Sequence, residues 1–307
     1  MATVTKRRST MAQLSALFGL LWNGRPCFWR RTMLSIVAAS DVGTLRQNNE
    51  DYFLIADLAR PTLAAHGNDA FGDTIAARPV LLVADGMGGA AGGEVASAMA
   101  ATIIWSQLAQ ASRSRRLRTP QWLRRSLLEA FRVANDRIRA CAAKSPELTG
   151  MGTTATAAVV LNSELYVGHV GDCRTYLVRD GRAQRLTTDH SVLQYLIDTG
   201  AAGEVDASDG RGHALLRALG PEADVPVDVT RARLRHGDIV VMCSDGVWSA
   251  VADDEIADVV SARRELRAAC EALLTLANDR GGRDNATVLV GRFEATSWRR
   301  DETAFAS

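Results

Sequence analysis

Leu81-Leu82-Val83-Ala84-Asp85-Gly86-Met87-Gly88-Gly89 is the stretch on which the reading of this chain turns. An apolar run bounded by turn residues predicts a buried strand, here over 79–84. It closes on an aspartate followed at once by glycine, so the carboxylate can project into a cleft while the backbone stays accessible. Two further stretches share this arrangement. Val240-Val241-Met242-Cys243-Ser244-Asp245-Gly246 ends an apolar run on an aspartate, and Gly281-Gly282-Arg283-Asp284-Asn285 stands just before another. Hard cations such as Mg2+ and Mn2+ take oxygen ligands of this kind, backbone carbonyls included. A single Asp-Gly is usually a turn. Three strand-end aspartates, with no His/Cys cluster to suggest zinc, point to metal chemistry.

Outward from this centre, helical stretches are predicted over 93–110 and 121–143, parted by an Arg/Ser-rich connection ending in Pro120. Strands follow over 153–161, 164–170, 174–179 and 183–186, with turns at Asn162-Ser163 and Asp180-Gly181. A short helix over 191–199 opens a Gly/Ala/Asp-rich excursion reaching to about 213. Strands over 227–230 and 238–243, helices over 253–260 and 264–279, and a strand over 286–293 complete the chain. Upstream lie strands over 34–39 and 52–56. Runs of antiparallel-looking strands with helices inserted in pairs predict an α+β fold rather than a doubly wound sheet. No internal repeat or interdomain linker interrupts it.

The 307 residues have ordinary apolar and charged fractions, 47% and 23%, which excludes disorder and a membrane bundle as classes. Net charge is +1 but unevenly spread. Residues 1–40 carry six basic side chains and no acidic one, leaving 30 basic against 35 acidic for the rest, or −5. A mildly acidic body argues against general nucleic-acid binding. The apolar run from Met11 to Trp22 is too short to span a bilayer and lacks a cleavage site after it. Residues 1–33 thus read as a basic, poorly ordered extension or a start codon placed too early, with a membrane-surface segment as the less favoured alternative. The five cysteines form no C-x-x-C pair and fit a reducing compartment. Cys173 and Arg179 have the C-x5-R spacing of cysteine-dependent phosphatases. The residues between them read as a strand without glycine, which cannot supply a phosphate-cradling loop.

A fourth acidic segment, Arg46-Gln47-Asn48-Asn49-Glu50-Asp51, sets an arginine four residues before an acidic pair. Alone it reads as a solvated loop with a surface ion pair, although arginine is also the preferred bidentate partner of phosphate. Together with Gly152-Thr153-Thr154, Gly171-Asp172-Cys173-Arg174, Asp189-His190-Ser191, Ala218-Leu219-Gly220, Ser244-Asp245-Gly246 and Arg283-Asp284-Asn285, the set resembles, in order, the motifs of the PP2C-type (PPM) protein phosphatases, bacterial type. The resemblance runs from about 34 to 293. It implies a central antiparallel β-sandwich flanked by helix pairs, a four-layer α-β-β-α architecture. It divides the chain into the extension (1–33), a phosphatase domain (34–296) with a flap at about 190–213, and a tail (297–307).

The same resemblance assigns roles. Asp85 bridges two Mn2+ or Mg2+ ions, Asp245 and Asp284 complete one shell, and the Gly86 carbonyl serves the other. Glu50 and Asp51 act through metal-bound water, and Arg46 holds the substrate phosphate. Asp172 has two open readings, a ligand with Asp245 for a weaker third ion, or a turn between strands. A hydroxide bridging the metals would attack phosphorus in line, with Arg46 and Asp85 as the catalytic pair and no phospho-enzyme. Met87 stands where many eukaryotic members have a histidine proposed as general acid, so the acid is undefined here. Expected partners are phosphorylated proteins and a cognate serine/threonine kinase, for a cytoplasmic monomer. The rival reading is a catalytically silent phosphatase-like module that binds phosphoproteins.

Overall fold

The computed structural model describes residues 30–68, 70–88, 92–113, 119–201 and 214–297. The greater part of the predicted N-terminal extension, Gly89, the flap residues 202–213 and the tail beyond Ser297 lie outside the described residues. The chain divides into a unit over Thr32–Ala295 and one formed by its two ends, Met1–Arg31 and Thr296–Ser307.

Strands β1 (Arg30–Asp41), β2 (Asp51–Asp57), β3 (Thr62–Gly67), β4 (Ala70–Ala76) and β5 (Pro79–Met87) come first. Helices α1 (Gly92–Ser112) and α2 (Pro120–Ala142) follow. Next are β6 (Gly152–Thr153), β7 (Ala155–Leu161), β8 (Glu164–Val170), β9 (Arg174–Arg179) and β10 (Arg182–Arg185), and then α3 (Val192–Asp198). The chain continues through β11 (Asp228–Arg233), β12 (Ile239–Cys243), α4 (Asp245–Trp248), α5 (Asp253–Ala262), α6 (Leu266–Asp279) and β13 (Ala286–Ser297). The first sheet has the order β10-β9-β12-β13-β1-β4 and the second β11-β8-β7-β5-β2-β3, with β6 paired to β5.

Period-2 alternation sorts each central strand into two cores. Leu81 and Val83 of β5 join Leu34, Ile36, Phe53, Ile55 and Leu289 between the sheets. Val80, Leu82 and Ala84 face the other way, onto Ala96, Ala100 and Ile104 of α1 and Phe131 of α2. On the first sheet, Val241 and Cys243 of β12 meet Ile256 of α5 and Leu273 of α6 in the same manner. Both faces of both sheets are therefore covered, giving the four-layer α+β sandwich. Each large apolar side chain buried in this way contributes about 1.5–3 kcal/mol. Alanines on α1 keep that helix close to the sheet, while α2 starts where the Thr119 side chain accepts from the Trp122 amide and Pro120 opens the first turn.

Three of these elements were not anticipated, nor was a single 3-10 turn over Pro146–Leu148. The strands β3 and β4 have little apolar alternation, because β3 is the edge of one sheet and β4 the edge of the other. The single turn of α4 begins at Asp245-Gly246, a pair whose local chemistry reads as a turn.

Candidate metal centre

Strand alternation decides where the acids point. Two residues beyond Val83, Asp85 continues the inter-sheet row of β5 at the strand's end. β2 obeys the same rule, since Phe53 and Ile55 face the inter-sheet core and Asp51 lies two residues before Phe53. The register sets Asp51 directly opposite Asp85. The first sheet supplies Asp245, just past β12, and Asp284, just before β13. Asp172 sits where the chain crosses from β8 in one sheet to β9 in the other.

These ends meet at a cleft of about 410 Å³ lined by Arg46, Glu50, Asp85, Gly86, Met87, Asp172, Asp245 and Asp284, among others. Of the residues to which the resemblance assigns a metal or phosphate role, Asp51 alone does not line it. Its carboxylate is buried, 1% exposed, beside that of Asp245. Ala214 and Leu215, which follow the undescribed part of the flap segment, reach the cleft as well. His190 lies elsewhere. It is buried, its Nδ1 accepts from the Gly171 amide at 3.1 Å, and its Nε2 stands 3.1 Å from Asp228.

Polar residues to which sequence reasoning gave no role hold the acids in place. The Asp85 amide donates to Thr154 Oγ1 at 3.0 Å, and its carbonyl accepts from the Thr154 amide and Thr153 Oγ1, both at 2.8 Å. Ser244 Oγ donates to Asp51 Oδ2 at 2.6 Å and accepts from the Thr287 amide at 2.9 Å. The Asn285 side chain accepts from the Glu50 amide at 2.8 Å and donates to the carbonyls of Val42 and Asn48, both at 2.9 Å. Hydroxyls interrupting otherwise apolar strand sequence were the available signal. The glycines after Asp85 and Asp245 each permit a backbone contact that no other residue would. A Cβ on Gly86 would stand 2.1 Å from the Gly93 carbonyl oxygen, and one on Gly246 2.1 Å from that of Asn285.

The site is short of positive charge. Burial, reinforced by Asp245 and Asp51, pushes the Asp85 carboxyl well above its usual range. Burial raises Asp51 to about 8, with the charges of Asp245 and Asp284 adding to it against hydrogen bonds from Ser244 and Thr287. Burial likewise raises Asp172, helped by Asp245 and Asp189. Arg46 is the cation among the cleft's lining residues, and its Nη2 pairs with Asp284 Oδ2 at 2.6 Å. Cys173 is fully buried, 3.1 Å from Thr154 Oγ1, and burial raises its thiol well above normal, while Arg179 pairs with Asp238 instead. That disposes of cysteine-based chemistry.

Among the described residues no three acidic, histidine or cysteine side chains are drawn around one point as a closed cage. The donor set nonetheless fits divalent cations. It is all oxygen, it crowds like charges that burial forbids to ionise together, and Asp51 Oδ1 is buried without a hydrogen-bond partner among the described residues. A cation answers each of these features.

Hard oxygen donors from two sheets, gathered with one arginine in a single cleft, are the equipment of a metal-dependent hydrolase of anionic esters. The family described as Protein phosphatase 2C matches residues 64–283. The serine/threonine phosphatase stp of Listeria welshimeri is 36% identical over 217 residues, 69% of this chain and 84% of that protein. The S. agalactiae serine/threonine phosphatase structure superposes with a TM-score of 0.73 at 30% identity, covering 84% of this chain and 99% of its own. The catalytic domain of the phosphatase PstP, solved with two manganese ions, gives 0.66 at 32% identity, covering 86% and 99%. The chain belongs to the protein phosphatase 2C family, bacterial PPM type. It is a protein-serine/threonine phosphatase dependent on divalent metal, and the silent binding module is not favoured.

Proposed function

We propose that the cleft is the site of two Mn2+ or Mg2+ ions, which the carboxylates of Asp85, Asp245 and Asp284 and the Gly86 carbonyl would hold. Glu50 and Asp51 orient surrounding water, and Asp172 with Asp245 offers a weaker third position. Bound cations supply charge that acidifies water and offsets charge developing on the phosphoryl oxygens. The observation that carries this reading is the facing pair Asp51 and Asp85, with Asp172 and Asp245 brought to the same cleft from beside the opposite sheet.

Arg46 is the phosphate anchor in this reading. Its pair with Asp284 is half exposed, at 50% and 36%, and such a pair is worth about 0–1 kcal/mol. Two guanidinium hydrogen bonds to a phosphate exceed that, so substrate can draw Arg46 away and free Asp284 for a cation. Thr153, Thr154 and Asn285 hold the backbone of Asp85 and Glu50, and Ser244 the Asp51 carboxylate, so the charge is organised before substrate arrives. The reading extends to a cytoplasmic monomer whose phosphoprotein substrates are supplied by a serine/threonine kinase. Among the described residues no helix is long and apolar enough to cross a membrane.

Turnover of a phosphothreonine peptide, titrated with Mn2+ and Mg2+ beside an EDTA control, tests the assignment together with Asp85→Asn and Arg46→Ala. Expected results are turnover abolished by EDTA and by Asp85→Asn, and a KM raised by Arg46→Ala. Undiminished turnover by Asp85→Asn would remove Asp85 from its role.

A further inference from the structure

A second concave surface lies away from the cleft, between β10 and β11, the edge strands on one side of the two sheets. The groove measures about 320 Å³, and its apolar surface includes Leu177 and Leu186. Its remaining wall is arginine-rich, with Arg179, Arg185, Arg231, Arg233 and Arg235 all contributing.

The charges do not cancel. Arg179 is held by buried Asp238 at 2.6 Å, and Arg231 reaches Glu164 at 3.3 Å. Arg185 stands 3.5 Å from Asp189, whose carboxylate Arg174 already holds at 2.6 Å. Arg233 and Arg235 are exposed and enter no ion pair among the described residues. Surplus guanidinium charge beside apolar side chains and two edge strands, in a protein whose body is otherwise mildly acidic, suits an extended anionic chain. Exposed strand edges offer backbone hydrogen bonds to such a chain, and arginine forks suit carboxylates.

We propose that this groove docks an acidic, extended segment of the phosphoprotein substrate, remote from the phosphorylated residue. The inference rests on the protein phosphatase assignment and adds a determinant of substrate choice to it. Position along β9 sets the spacing. Asp172, two residues before β9, lines the cleft and Leu177 on β9 lines the groove, so at about 3.3 Å per extended residue the two are at most roughly 17 Å apart. An acidic run beginning about five or six residues from the phosphosite spans that distance. Arg185 also bonds Gln194 of α3 at 3.0 Å, which ties the groove to the segment entering the flap.

The test uses the full chain loaded with Mn2+ and two phosphothreonine peptides, one ending in a six-glutamate run after a six-residue spacer and one without it. The wild type should show a KM about 10-fold lower for the glutamate-bearing peptide, with an advantage that fades as salt rises. Arg233→Glu/Arg235→Glu should remove that advantage and leave kcat on the plain peptide and on p-nitrophenyl phosphate unchanged. Arg233→Gln/Arg235→Gln should remove about a third to a half of it on a logarithmic scale, which separates lost attraction from misfolding. Equal KM values for both peptides in the wild type, or an advantage that survives charge reversal, would overturn the proposal. So would binding of anionic vesicles by the groove arginines without any preference for the acidic peptide. Failure of the phosphatase reading would look different, because the plain peptide would then not turn over at all.

Discussion

One hydroxyl, Ser244 Oγ, donates to Asp51 and accepts from the Thr287 amide in a fully buried setting. Ser244→Ala deprives both groups of a partner at once. It is expected to cost about 1–3 kcal/mol in urea unfolding and about 10–100-fold in Mn2+ affinity by calorimetry. A loss of stability with unaltered metal affinity would restrict Ser244 to a structural role. His169 carries a different expectation. It is buried with Nδ1 2.8 Å from Thr156 Oγ1, and burial, with His190 beside it, lowers its pKa to about 3. A histidine that titrates near 6.5 when unfolded and near 3 when folded favours the fold fully above about pH 6.5 and loses that contribution as pH falls toward 3. Wild type should therefore lose its advantage over His169→Gln by up to about 1.4 kcal/mol per pH unit below 6.5. Urea unfolding in EDTA at pH 7.5, 6.0 and 5.0 measures it, and a constant difference would refute it.

At the scale of elements, α4 and the turn before β13 touch through Gly246, where a Cβ would meet the Asn285 carbonyl oxygen at 2.1 Å. Gly246→Ala must push the two apart. It is expected to destabilise by about 1–3 kcal/mol and to spread Asp245 from Asp284, lowering Mn2+ affinity; thermal melts with and without Mn2+ report both effects. Legibility in the sequence followed the same physics. Strands buried on both faces, such as β5 and β12, announce themselves as continuous apolar runs, and the acids at their ends stand out against them. The edge strands β3 and β4 bury one face at most and carry no such signal. Asp51 was the hardest placement to anticipate, since only the register with β5 sets it opposite Asp85. Ser244, Thr154 and Asn285 were visible as motif residues, but their roles depend on partners 43 to 243 positions away in sequence, which local patterning does not reveal.

Across the whole molecule, the cleft draws on both sheets, so a cation bound there adds to the packing and to hydrogen bonds such as Ser244–Asp51 that already join the two layers. Saturating Mn2+ at about 100 times its dissociation constant is worth about 2.7 kcal/mol to the folded state, or about 5–10 °C in Tm for a unit of this size. Differential scanning calorimetry should show that rise in the wild type and little of it in Asp85→Asn. A rise of equal size in both would place the stabilising ion elsewhere.

The β7–β8 hairpin starts and finishes beside the cleft, at Ala155 and Val170, and turns at Asn162 and Ser163, both in the left-handed region with φ of 54° and 62°. That turn stands a full strand length from the chemistry. It offers a point of attachment: a dye, a tether to a support or an inserted loop grafted there would leave the reactive end facing outward and its carboxylates undisturbed.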